Sequence, residues 1–215
     1  MKVFLIGANG QVGKYIVNLL QNSDEHTVKA MVRSEQQAEA LKQTEVVTVV
    51  ANLESSVDEL AKAMEGCDAV IFSAGSGGKT GPDKTLLVDL DGAVKSMEAA
   101  EKARVKRYVM VSAFQAHNRE SWMDSPIKPY MVAKHYADRM LISSQLNYTI
   151  VRPGGLTNEP GTGNVKLEEN LQRGSIPRED VAKTVVASLN EEKTFRRSFD
   201  LMSGDTPIKE ALKNI

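Results

Sequence analysis

The sequence predicts an α/β fold, a doubly wound parallel sheet with helices on both of its faces. Three observations predict it. Short apolar runs rich in Val and Ile recur along the chain without the polar alternation of half-exposed strands, as expected for strands covered on both sides. Stretches with apolar residues at helical spacing separate these runs. A glycine-rich turn directly follows the first run, where such sheets begin their first strand-to-helix connection.

The elements follow in order. Residues 3–6, 28–32, 46–50, 69–72, 108–111 and 148–151 read as buried strands. Tyr15, Ile16, Leu19 and Leu20 form one apolar helix face, and Leu60, Ala61 and Met64 form another. Residues 86–103 make a long third helix. Beyond the sixth strand, residues 178–189 read as a helix with Asp180 in its first turn, residues 199–202 as a last strand, and Pro207 opens a short final helix. Three loops stand out at 75–82, 117–129 and 154–163. The 215 residues, 41% of them hydrophobic, fit one domain with one buried core. Within it, residues 1–151 form the core fold, and 152–215 an integral C-terminal part with a small substrate cover.

Charge and composition exclude several classes. Twenty-seven basic residues stand against 28 acidic ones, a net charge of -1, so the chain carries no electrostatic footprint for nucleic acid or an anionic membrane. Its single cysteine, Cys67, permits no internal disulfide and suits a reducing compartment. The apolar run of MKVFLIGANG is too short for a signal peptide, and no stretch approaches the roughly 20 residues of a membrane span. The expected setting is therefore cytoplasmic. His26, His117 and His135 show no metal-ligand spacing, and no metal is expected.

Gly7, Gly10 and Gly13 form G-x-x-G-x-x-G after the first strand. One glycine permits the tight turn, one lets a pyrophosphate approach the backbone, and one lets the helix pack on the strand. The helix starting near Gln11 points free N–H groups and a positive dipole end at the phosphates. This is the dinucleotide turn of a Rossmann-type sheet. The second strand ends Val32-Arg33-Ser34, with no acid before Glu35. A guanidinium and a hydroxyl there suit a 2′-phosphate, so NADP(H) is favoured over NAD(H). The alternative is that Arg33 is only a solvated strand-end residue. Ser73 to Thr80 nearly spells a nucleoside-triphosphate loop, but Ser73 replaces its first glycine and Gly81-Pro82 interrupts the helix it requires. Ala74 and Gly75 instead let a cofactor lie against the end of the fourth strand, with a flap beyond.

Tyr130-Met131-Val132-Ala133-Lys134 places a phenol and an ammonium on one helix face. The ammonium is expected to lower the phenol's pKa and make it a usable proton donor or acceptor. With GANGQVG at 7–13, MVRS at 31–34, SAGSGGKTGP at 73–82, VDLDGA at 88–93, KRYVMVSA at 106–113, PYMVAKHYAD at 129–138, YTIVRPGGLT at 148–157, IPREDVA at 176–182 and DTPIKEAL at 205–212, the whole chain resembles the short-chain dehydrogenase/reductase superfamily. It is most similar to the atypical, NmrA-like branch of NAD(P)-dependent epimerases and reductases.

The resemblance implies a catalytic tetrad. Tyr130 and Lys134 fit it, Ser112 is the nearest candidate for its serine, and the position usually held by Asn falls on Asp89. An ionised Asp accepts hydrogen bonds but cannot donate as an amide does, so the usual proton relay is altered. Each also has a plainer reading: Tyr130 packing beside the sheet, Ser112 capping a strand end, Asp89 holding backbone amides. The expected cofactor-binding set is Gly7, Asn9, Gly10, Gln11, Val12, Gly13, Arg33, Ser34, Asn52, Leu53, Ser73, Ala74, Gly75, Lys134 and Pro153. Trp122 and Met123 are candidates for lining a substrate pocket. The reading is an NADPH-dependent reductase of a small carbonyl or similar acceptor. The alternatives are a non-catalytic NADP(H) sensor and a sugar-nucleotide epimerase. About 60 residues follow the sixth strand, too few for the large substrate domain of the latter.

Overall fold

In the computed structural model, residues 1–42, 46–78 and 80–215 are described. Among them, nine strands form one sheet: β1 (Lys2–Ile6), β2 (Thr27–Val32), β3 (Val47–Val50), β4 (Ala69–Phe72), β5 (Arg107–Val111), β6 (Asn147–Pro153), β8 (Asn164–Glu168), β10 (Arg197–Ser203) and β11 (Thr206–Pro207). Their order is β11-β8-β10-β6-β5-β4-β1-β2-β3. The seven strands from β10 to β3 run parallel; β8 and β11 close that edge antiparallel. A separate parallel pair joins β7 (Gly155–Thr157) to β9 (Ser175–Pro177).

Alternation along β1 shows how the sheet serves two cores. Val3 and Leu5 face one side, where they join Ile16, Leu20, Val181 and Val185. Phe4 and Ile6 face the other, with Leu60, Met64, Met97 and Leu141. On the first face α1 (Gln11–Gln21) packs against α7 (Arg178–Ala187), with α8 (Ile208–Lys213) beyond it. On the second, α3 (Val57–Met64) packs on α5 (Ala93–Lys102), and α6 (Lys128–Ser143) lies beside a π-helical segment, Thr85–Gly92. That segment connects α4 (Pro82–Lys84) to α5, so the expected long helix is present with a changed hydrogen-bond register.

The six expected strands and the C-terminal helices are present, with small shifts at their ends. Three features were not anticipated. α2 (Glu35–Lys42) has almost no apolar face to announce it. β7 and β9 lie in or beside the loop expected at 154–163, each three residues long, too short for a periodic signal. β8 reads NVKLE, an alternation only five residues long that follows a Gly-rich stretch. No helix among the described residues is long and apolar enough to cross a membrane.

Two glycines fix the join between β1 and α1. Gly7 has φ +92°, in the left-handed region, and a Cβ on it would lie 2.6 Å from the Ser73 carbonyl. A Cβ on Gly13 would lie only 2.0 Å from the Gly7 oxygen, so the helix can approach the strand end only without a side chain there. Gly13→Ala should lower stability in urea by about 1–3 kcal/mol through overpacking. Gly78→Ala, where a Cβ meets nothing within 4 Å, should change it by less than about 0.5 kcal/mol. Equal midpoints for the two variants would show that the β1–α1 join relaxes freely.

Candidate active site

The strand order reverses at β1, whose neighbours are β2 and β4, and a cleft opens past the carboxyl ends of these strands. The glycine turn forms its floor. The Gly10 amide donates to the Gly7 carbonyl at 2.9 Å, and Gly10 stands at the start of α1 in an extended conformation. No side chain caps α1 and no acid lies in its first turn, so its leading amides stay free for an anion.

Three cavities with shared walls follow one another along this edge. The first, about 390 Å³, is lined by Gly7, Asn9 and Gly10, by Arg33 at the end of β2, by Asn52 and Leu53 after β3, and by Ser73, Ala74 and Gly75 after β4. Arg33 is exposed; its backbone N–H donates to Gln37 Oε1 at 2.9 Å. Glu54 and Lys84, 2.7 Å apart, bridge two parts of the cavity wall. Ser34, the residue after Arg33, immediately precedes α2. Its hydroxyl and its carbonyl both accept the Gln37 amide at the start of α2, and it is not part of the cavity wall. The capping bond at the helix start claims it.

The second cavity, about 610 Å³, shares Ser73, Ala74 and Gly75 with the first and takes Gln11 and Val12 from the start of α1. Ser112, Asp89, Tyr130, Lys134 and Pro153 all line it, so the four expected catalytic residues converge on one space. Gly13 lies behind the turn and serves packing. The third cavity, also about 610 Å³, shares Ser112, Tyr130 and Pro153 with the second and extends to Trp122; Met123 is exposed and outside its wall. Lys79 of the triphosphate-like stretch lies outside the described residues.

The electrostatics differ from expectation at Tyr130. Burial, and then the charges of Asp89 and Asp138, push its phenol pKa above the ordinary tyrosine value. Lys134 does not reverse this. Its ammonium is fully buried, donates to the Val111 carbonyl at 3.0 Å and lies 5.6 Å from the centre of the Phe72 ring. Burial pulls its own pKa down, opposed by Asp89 and Asp138. Helical spacing brings the two groups to one face, but desolvation outweighs their mutual effect.

Asp89 sits on the π-helical segment and is 1% exposed. Its Oδ2 accepts the Ser76 amide at 3.0 Å, which secures the loop after β4, while its Oδ1 is buried with no partner among the described residues. Ser112 donates its hydroxyl hydrogen to Asp138 Oδ1 at 2.6 Å, and the other oxygen of Asp138 receives Arg152 Nε at 2.7 Å. Both charges are nearly inaccessible. Sequence reasoning does not pair Asp138 with Arg152. The available signal was spacing: Asp138 follows Lys134 by four residues, as Lys134 follows Tyr130, so all three share one face of α6. Asp180 accepts the Thr162 and Gly163 amides at 2.8 and 2.9 Å, holding the 154–163 segment against the first turn of α7.

Similarity to known proteins agrees with this cleft. Residues 7–192 match a family described as NAD(P)H-binding. The chain is 61% identical over 215 residues to the Bacillus subtilis (strain 168) protein named "Uncharacterized sugar epimerase YhfK", covering all of both chains. It superimposes with a TM-score of 0.93 and 40% identity on a Bacillus halodurans structure assigned provisionally to the NAD-dependent epimerase/dehydratases, again over 100% of both. The oxidoreductase ylbE from Lactococcus lactis gives 0.90 and 35%, over 100% of this chain and 96% of that one.

Removing one partner of a buried ion pair leaves the other charge stranded, which typically costs about 3–5 kcal/mol. Arg152→Met should lose stability in that range by urea unfolding. Asp138→Leu with Arg152→Met should lose clearly less than the sum of the two single variants. Additive losses would mean that the pair is not coupled.

Proposed function

The chain belongs to the NAD(P)H-binding family, and on that premise we propose that it is an NADPH-dependent reductase of a small carbonyl or comparable acceptor. The observation that carries the reading is the convergence of Tyr130, Lys134, Asp89 and Ser112 on the cavity that adjoins the dinucleotide cleft. The glycine turn, the uncapped start of α1 and the Gly75 surface would hold the cofactor, with Arg33 at a 2′-phosphate. A bound nicotinamide would supply the hydride.

The protein's own residues supply the proton and the fit. Tyr130, kept protonated by burial and by two carboxylates, donates from its hydroxyl to the substrate oxygen as negative charge develops there. Lys134 has three donor hydrogens and gives one to Val111, which leaves two for a ribose hydroxyl and the phenol's oxygen. Asp89 opposes ionisation of Tyr130 and so favours its acid form. While Ser112 donates to Asp138 it has no hydrogen for a substrate carbonyl, so the oxygen-binding role rests on Tyr130. That same commitment of Ser112 favours a second reading, a protein that binds NADP(H) and reports it without turnover.

Two measurements test the proposal. NADPH should bind more tightly than NADH, and Arg33→Ala should remove most of the gap, a charge-assisted contact of about 1.5–3 kcal/mol. Equal wild-type affinities for the two cofactors would remove Arg33 from the site.

Tyr130→Phe should keep cofactor affinity while turnover on an accepted carbonyl falls about 10²–10⁴-fold. Because the reaction needs the acid form and its pKa is raised, the Tyr130 contribution should hold between about pH 6 and 9 and fall only at higher pH. Wild-type rates in Tyr130→Phe would exclude it as the donor. Tight NADPH binding with no turnover across a broad carbonyl panel would favour the sensor reading.

A further inference from the structure

The third cavity has a largely apolar wall. Phe114, Trp122, Ile127, Met131, Leu156 and Leu171 give it an extended apolar surface. Three of its polar side chains, Ser112, Gln115 and Ser121, are committed to the protein itself, while the Trp122 Nε1–H is buried with no partner among the described residues. Gln115 donates to Leu171 O at 3.1 Å and Asp200 Oδ2 at 3.2 Å, and its own oxygen accepts from Asn118. Ser121 donates to the Asn118 carbonyl at 2.8 Å, and Ser112 to Asp138 at 2.6 Å. Among the described lining residues no carboxylate appears, and Arg173 is the one charged side chain. Arg173 is exposed and makes no hydrogen bond or ion pair with any described residue.

The apolar stretch of the wall offers no partners to the hydroxyls of a polyhydroxylated ligand, and each one buried against it unpaired carries a desolvation penalty. A flat apolar ligand incurs no such penalty. A single anionic group on it would meet the guanidinium with no neighbouring carboxylate in the wall to compete. Resting on the reductase reading, we propose that this site takes a flat, mainly aromatic carbonyl compound carrying one carboxylate. Tyr130, which lines both the second and the third cavity, addresses the carbonyl, and Arg173 the carboxylate at the wall. Arg173 is thus a specificity-determining residue.

The test uses 4′-formylbiphenyl-4-carboxylate and its neutral carboxamide, titrated calorimetrically into the NADP-loaded protein at low salt. The carboxylate should bind about tenfold more tightly, and the gap should narrow as salt rises, since an exposed charge is screened. In Arg173→Gln the gap should close to within about twofold through loss of carboxylate affinity. NADPH oxidation should show the same preference in kcat/KM. A carboxylate that binds no better than the carboxamide, a gap that survives Arg173→Gln, or tighter binding of a nucleotide sugar would overturn the proposal. Charge-selective binding without NADPH oxidation would uphold the site and overturn the reductase reading. Turnover without charge preference would do the reverse.

Discussion

Asp138 holds the active-site edge together. Its two oxygens reach Ser112 after β5 and Arg152 on β6, while its backbone belongs to α6. One carboxylate thereby connects the helix that carries Tyr130 and Lys134 to two adjacent strands of the sheet. All of this occurs out of water, where an unpaired charge is costly and the geometry of a paired one is firmly held. The positions of the phenol and the ammonium relative to the cleft follow from that anchor. So does the electrostatic bias at Tyr130, since Asp138 is one of the two carboxylates that oppose its ionisation.

Along the same edge the chain separates three tasks in space. The turn between β1 and α1 offers backbone amides, the middle cavity gathers groups that hold protons, and the outer cavity offers apolar surface. Each draws on a different region of sequence: residues near the N-terminus for the turn, the loop after β4 with α6 for the middle, and the segments around Trp122 and Leu171 for the outer wall. The outer wall can therefore vary in sequence without disturbing the glycine turn. That arrangement is consistent with relatives bearing both epimerase and oxidoreductase names over nearly the full chain.

Local spacing made much of this legible in the sequence. The glycine turn, the absence of an acid after β2 and the Tyr130–Lys134 pair are all readable from residues within a few positions of one another, and the parallel strands from their apolar runs. What depended on distant partners was not. Nothing local says that Arg152 meets Asp138, or that the Ser112 hydrogen goes to that carboxylate. Spacing placed Lys134 beside Tyr130, but the outcome for the phenol was set by burial, which belongs to the assembled fold. An N-capping hydroxyl and a phosphate-binding hydroxyl look alike in sequence, and only the fold shows that Ser34 takes the Gln37 amide. Within 154–177 only the five residues of β8 alternate, and nothing local to Arg173 tells which cavity it borders.

The π-helical segment from Thr85 to Gly92 carries a consequence for how this architecture tolerates insertions and deletions. Its winding is set by amides that reach back five residues instead of four, so the segment holds surplus chain relative to an α-helix spanning the same turns. Ser76 contacts both Thr85 and Asp89, so this wider winding presents both side chains to the loop after β4. Loss of a single residue could be absorbed by tightening to α-helical winding, with little change to the α5 core. Because the surplus residue is the one taken up, the flanking turns keep their phase and only side chains inside the segment, Asp89 among them, are re-aimed. Length variation in this one stretch is thus a route by which descendants of such a chain can keep the nucleotide cleft and exchange the chemistry beside it.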